Sequence, residues 1–297
     1  MSFILTLVAS SAPLTAGHVA AFIDHPLVQA CGPVGVPGWL AVHKAVDIPI
    51  LNRPDTAQVK ELQTYLVADS IDIFITEKST RRKKLLLADM DATIVTTETL
   101  DELAVYAGLK DEIAAITARA MRGELDFQTA LTERVGMLKG LSQDKLQETL
   151  DETQLTAGAD ILVKTMAHHG ATCVMISGGF TFFTEAIAQR AGFHHHHGNI
   201  LGITDGQLTG VVEGELVDKS VKERKLRDYM QELGLMIVQT MAIGDGANDL
   251  PMLQAAGLGV GFQPKPVLRE ALDNCILYGD LTAALYMQGY NEGEFVS

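Results

Sequence analysis

The sequence predicts an α/β protein in two parts: a parallel-sheet core carrying an inserted helical cap, preceded by a small α+β domain. Three observations carry that prediction. Three short apolar runs, at residues 84–88, 171–176 and 239–243, each end in acidic or glycine-rich residues and lead into a helical pattern, as buried parallel strands do. Residues 99–157, between the first two runs, are rich in Leu, Ala, Glu and Lys at helical spacing. Residues 1–80 alternate short strand and helix patterns, broken at Pro13, Pro33 and Pro37.

Taken in order, the first part reads as a strand at 3–8, a helix at 16–24, a strand at 38–44, a further strand near 46–51, a helix at 56–68 and a strand at 72–76. That βαββαβ order defines a ferredoxin-like domain over residues 1–80, whose topology resembles the amino-acid-binding ACT-like domains. A homodimer formed through it is expected, and no residue in it offers chemistry. The run Arg81-Arg82-Lys83-Lys84 reads as a solvated linker. Residues 81–297 then form a Rossmann-like core, with the cap inserted at about 99–157. Near 198–212, Asp205-Gly206 between alternating residues marks a hairpin.

Composition narrows the function classes. With a formal net charge of −14, the chain repels phosphate backbones and anionic lipid, so neither nucleic acid nor a membrane surface is expected as partner. Cys31, Cys173 and Cys275 are far apart and in no CxxC, which suits free thiols in a reducing compartment. No basic residue precedes Lys44, so the apolar start reads as a first strand and the chain as cytoplasmic.

The ends of the three core runs carry the chemistry, since open α/β sheets bind ligands at the carboxyl ends of their strands. The first ends in Asp89-Met90-Asp91-Ala92-Thr93, whose paired acids can divide the work between nucleophile or metal ligand and general acid. The same pattern also suits a turn acid beside an exposed one. Ser177-Gly178-Gly179-Phe180 offers a hydroxyl and approachable N–H groups before a helix, an anion cradle or an ordinary strand–helix turn. Gly244-Asp245-Gly246-Ala247-Asn248-Asp249 supplies oxygen donors of the kind a hard cation takes. Among Lys219, Lys222, Arg224, Lys225 and Arg227, spacing alone selects none.

In this order the signatures resemble the motif set of the haloacid dehalogenase superfamily of phosphohydrolases: DxDxT, a strand-end Ser or Thr, a Lys, and an acidic GDxxND-type motif. The stretches 89–104, Ala120-Met121-Arg122-Gly123-Glu124-Leu125-Asp126-Phe127, Glu133-Arg134-Val135, Leu208-Thr209-Gly210 and 243–250 are similar to the phosphoserine phosphatase family within it, over about residues 85–270.

That resemblance implies magnesium-dependent hydrolysis of a small-molecule substrate, L-O-phosphoserine, through an aspartyl-phosphate, the last step of serine biosynthesis. It implies Asp89 as nucleophile and Asp91 as general acid. Magnesium would be held by the carboxylates of Asp89 and Asp245 and the backbone carbonyl of Asp91, with Asp249 in support. Ser177, Gly178 and Lys222 would bind phosphate, with Asn248 near the same group. Glu98 and Arg134 would grip the substrate's ammonium and carboxylate; without the resemblance they read as a first-turn helix acid and a partner of Glu133. A related phosphatase or phosphotransferase on another phosphorylated amino or hydroxy acid, and an amino-acid-sensing binding protein, are the other readings. Two departures stand out: Ala92 replaces a common Ser, and His194-His195-His196-His197 interrupts an ordinary stretch without being able to face one metal.

Overall fold

Strand β1 (Phe3–Ala9) is apolar at nearly every position and buried at all but its first residue, more than a sheet with one wet face requires. In the computed structural model, which describes residues 1–121 and 124–297, the reason is that both faces are covered. After β1 come α1 (Ala16–Ile23), α2 (Pro26–Ala30), β2 (Gly38–Ala41), β3 (Ala45–Ile50), α3 (Thr56–Tyr65) and β4 (Ile71–Glu77), building an antiparallel sheet ordered β2-β3-β1-β4. Leu5, Leu7 and Ile73 pack with Phe22, Val59 and Leu62 of the helices on one face. Val8, Ala45 and Phe74, on the other, join the core that holds Tyr286 and Met287 near the chain's end. The strand expected at 38–44 stops at Ala41, because His43 turns the chain at a positive φ of 63°.

The basic run is solvated only at Arg82 and Lys84. The Arg81 side chain, 12% exposed, pairs with Asp47 and donates to the carbonyls of Tyr286 and Met287. Lys83 is buried, its ammonium donating to the carbonyls of Thr80 and Val238, and Arg82 lies over the Tyr290 ring. Buried Asp72 accepts from the N–H groups of Leu277, Tyr278 and Gly279, and the Asn274 side chain bonds both N–H and C=O of Ile75. An Asp72→Ala variant leaves those three amides without their acceptor and should lose about 2–4 kcal/mol of unfolding free energy in urea titration. An unchanged midpoint would mean that the small sheet docks without this clasp.

The remaining elements alternate as βα units. β5 (Leu85–Ala88) is followed by four helices, α4 (Thr99–Ala107), α5 (Lys110–Met121), α6 (Phe127–Met137) and α7 (Asp144–Glu152). Then come α8 (Ala159–His168), β6 (Thr172–Phe180), α9 (Thr181–Ala191), β7 (His195–Thr204), β8 (Gln207–Glu213), α10 (Lys219–Glu232), β9 (Thr240–Gly244), α11 (Leu250–Ala255), β10 (Gly259–Phe262), α12 (Pro266–Ala271), β11 (Cys275–Ile276) and α13 (Ala283–Met287). The second sheet is ordered β11-β10-β9-β5-β6-β7-β8, parallel except for the β7–β8 hairpin. Its turn has φ of 50° at Asp205 and 76° at Gly206, the double left-handed geometry that Asp-Gly favours. The passages into and out of the four-helix segment run side by side, Thr156 donating to Ile94 and Thr96 to Gln154. Arg122 and Gly123, in the motif quoted from 120–127, lie outside the described residues. No helix among the described residues is long and apolar enough to cross a membrane.

Candidate active site

β5, β6 and β9 lie side by side, so the three sequence signatures emerge together at their carboxyl ends. After β5 the chain makes a wide five-residue turn, Met90–Ile94, closed by the Val95 N–H on the Met90 carbonyl. Ala92 holds φ at 51° within it, a left-handed conformation that costs a non-glycine residue about 1 kcal/mol. Asp89 precedes the turn and Asp91 lies within it, close enough for the two carboxyls to influence each other.

The two acids have different surroundings. Asp89 Oδ1 receives the Met90 N–H at 2.7 Å and stands 2.8 Å from the Lys222 ammonium. The Asp91 carboxyl receives the Thr99 N–H at 3.0 Å and faces the Ser177 hydroxyl at 3.4 Å. Burial first, then Glu98 and Asp89, push it up to about 7, so a large share of molecules carry its proton near neutrality. One ion-paired carboxyl and one raised toward neutrality are what a nucleophile and a general acid need.

Lys222, which spacing could not single out, is 1% exposed and bridges Asp89 to Asp249 Oδ1 at 2.7 Å. Burial alone would lower its ammonium's pKa, but Asp249 and then Asp89 hold it above the usual lysine value. Asp218 caps α10 by accepting from Ser220 and Val221, fixing the helix turn that delivers Lys222. Asp249 is also bonded by the Gly246 N–H at 3.1 Å, and Asn248 Nδ2 reaches Asp89 Oδ2 at 3.4 Å.

Two glycines are required by space. A Cβ on Gly179 would meet Asp91 Oδ2 at 2.8 Å, and one on Gly244 would meet the Asp249 carboxyl at 2.5 Å. The Gly178 carbonyl is tied at 2.7 Å to Asn199, which is wholly buried and accepts the Val217 N–H. Nothing in the sequence singled Asn199 out, because its task is to anchor a turn.

Asp89, Asp245 and Asp249 each bring an oxygen within 4.8 Å of the others, a group that could hold a metal ion. Burial first, and then Asp89, raise the Asp245 and Asp249 carboxyls, with Lys222 and, at Asp245, Lys265 opposing. Three hard oxygen donors crowded together, their mutual repulsion only partly offset by Lys222 and Lys265, suit a hard divalent cation. The histidine run makes no such group: His194 accepts from the Cys173 N–H, His196 bonds Thr184, and His197 bonds Tyr229.

Glu98 precedes α4 with its side chain 50% exposed, and Arg134 lies on α6 with its guanidinium reaching the Ala130 carbonyl and the Thr117 hydroxyl. Glu133 pairs with Arg119 instead of Arg134. Burial lowers the Arg134 pKa, and Asp101, Glu98 and Asp91 raise it, so its charge faces the acids of the site. Phe127, at the start of α6, closes over the cradle: a Cβ on Gly178 would come within 3.2 Å of its ring. Lys265 was not anticipated. It lies 3.0 Å from Asp245 Oδ2 and 3.7 Å from Glu98 Oε1. Its signal was the stretch 263–266 after a fourth parallel strand too short and glycine-rich to stand out. A separate cleft of about 610 Å³, lined by Phe3, Arg53, Lys83, Gly257 and Asp273 among others, contains none of these groups.

The carboxyl edge of the parallel sheet carries an acid pair, with Asp89 buried and Asp91 half-buried, beside a buried lysine, an arrangement that suits a hydrolase. The chain belongs to the haloacid dehalogenase-like hydrolase family, whose profile matches residues 86–254. Within that class it is 42% identical over 235 residues to the phosphoserine phosphatase of Streptomyces coelicolor, a match covering 78% of this chain and 57% of that protein's length. A haloacid dehalogenase family hydrolase from Salmonella enterica serovar Typhi superposes with a TM-score of 0.85 at 28% identity, covering 97% of this chain and 98% of that one. A phospho-aspartyl intermediate analogue of a phosphoserine phosphatase, 38% identical, superposes with a TM-score of 0.65 over 69% of this chain and 98% of that one.

Proposed function

We propose that this chain hydrolyses L-O-phosphoserine to L-serine and inorganic phosphate, the last step of serine biosynthesis, with Mg2+ as its cofactor. The observation that carries the reading is the pair of neighbouring acids in different surroundings, Asp89 paired with Lys222 and Asp91 raised to about 7. The phosphoserine phosphatases to which the chain is similar support the substrate.

In this reading Asp89 attacks phosphorus and becomes the aspartyl-phosphate, while Asp91 gives its proton to the departing serine oxygen. Deprotonated Asp91 then takes a proton from the water that attacks the phosphorus, releasing phosphate and restoring both acids. The Ser177 hydroxyl, the Gly178 N–H and Lys222 hold the phosphoryl oxygens, and Asn248 stands beside them. Mg2+ would be held by the carboxylates of Asp89 and Asp245 and the carbonyl of Asp91, with Asp249 in support. When bound, it supplies the positive charge that lets an anionic nucleophile approach a phosphate dianion. Glu98 takes the substrate's ammonium and Arg134 its carboxylate, which distinguishes an amino acid from a plain alkyl phosphate. The buried free thiols Cys31, Cys173 and Cys275 support a cytoplasmic setting.

Phosphate release from L-phosphoserine, measured with Mg2+ and again after chelation, tests the reading. Turnover that disappears on chelation and returns with Mg2+ is expected. Absence of turnover in both conditions, or turnover indifferent to the chelator, would reject it.

A further inference from the structure

Lys265 belongs to none of the roles above, yet its ammonium lies against two groups of the site. Its mount is rigid. It stands between Pro264 and Pro266, immediately before α12, and two residues after Gln263, which holds a positive φ of 39° and donates to the Ile276 carbonyl. A Cβ on Gly261 would press on Pro264 at 3.0 Å, so the turn is packed against its own strand. The Lys265 N–H donates to the Asp245 carbonyl at 2.9 Å, and the side chain folds back to the same residue's carboxylate at 3.0 Å and to Glu98 at 3.7 Å.

The two lysines of the site differ in one respect. Lys222 is enclosed, 1% exposed, whereas the Lys265 side chain is 43% exposed at the rim. An ammonium at the rim can withdraw into water at little cost; an enclosed one cannot. We propose that Lys265 is a built-in counter-cation shared by Asp245 and Glu98, which must yield Asp245 to a divalent cation and Glu98 to an incoming ammonium group. The cation half stands on the geometry, and the ammonium half rests on the phosphoserine reading.

Electrostatics sets the sign. A dication held by the Asp245 carboxylate would repel the Lys265 charge that pairs with the same carboxylate. Withdrawal of the side chain relieves most of that repulsion, leaving the loss of its ion pairs as the net cost to cation affinity. Because the same ammonium serves Glu98, an ion that displaces it also frees Glu98, and the two ligands assist each other reciprocally.

Isothermal titration calorimetry of Mg2+ into the whole chain, without substrate, tests the first half independently of turnover. Lys265→Met should bind Mg2+ about tenfold more tightly than the parent, about 1.4 kcal/mol, and Lys265→Arg, which keeps the charge, should match the parent. Lys265→Gln serves as the second neutral variant if the first does not fold, as judged by circular dichroism. Unchanged or weaker binding in a folded neutral variant would overturn the proposal. In steady-state assays, neutral variants should lower KM for phosphoserine relative to the analogue lacking the amino group; equal changes in both would overturn the Glu98 half. Tighter Mg2+ binding with no phosphoserine hydrolysis in parent or variant would support the counter-cation role and reject the substrate reading instead.

Discussion

Asp89→Asn should abolish phosphoserine turnover, with a loss of at least about 10⁴-fold in kcat, while the protein remains folded. An amide oxygen is a poor nucleophile, and the neighbouring carboxyls are otherwise engaged, Asp245 with Lys265. Asp91 is turned toward Ser177 and Thr99, and Asp249 is tied to Lys222 and the Gly246 N–H. Stability should change little. The substitution takes away one partner of Lys222, but also an anion that disfavours ionisation of Asp91, Asp245 and Asp249. Phosphate release together with a urea titration reads both quantities. More than a thousandth of parental turnover in a folded variant would remove Asp89 from the nucleophile's role, and lost activity with lost folding would leave Asp89→Ser as the decisive variant.

Arg134→Ala should raise KM for phosphoserine by about 30- to 100-fold while leaving an aryl phosphate without a carboxylate nearly unaffected. Losing a two-pronged charged hydrogen bond costs about 2–3 kcal/mol, and only a substrate bearing a carboxylate makes one. The guanidinium also braces the Ala130 carbonyl and Thr117, so truncation alone mixes packing with recognition. Arg134→Lys separates them: it keeps the charge and most of the stem but loses the fork, and should give an intermediate KM. Equal loss on both substrates would assign Arg134 to cap packing rather than to carboxylate recognition.

How far the site was legible in the sequence follows from where its residues lie along the chain. Asp89, Asp91, Ser177, Gly178, Asp245, Asn248 and Asp249 stand at the ends of apolar strand patterns, where local periodicity announces both strand and site. Lys222 lies inside a helix among four other basic residues, and only the resemblance, not its spacing, selected it. Its burial between Asp89 and Asp249 is a tertiary fact. Lys265 and Asn199 escaped notice because each acts on a residue remote in sequence, from a position whose own neighbourhood resembles an ordinary turn or strand.

The small sheet teaches the same lesson. The chain order of its elements was readable from βαββαβ patterning, and the apolar run FILTLVA was visible as composition. What covered its second face was not. Tyr286 and Met287 reach it from more than two hundred residues away, and Arg81 is drawn out of an expected linker to meet their carbonyls. Sequence alone therefore determined the periodic strands, the motif-bearing strand ends and the acidic chemistry they carry, because these are local properties of neighbouring residues. Tertiary structure alone decided which lysine enters the acid cluster, which rests at its rim, and what seals the back of the first sheet. Burial and ion pairing depend on distances between segments, and those exist only once the chain has folded.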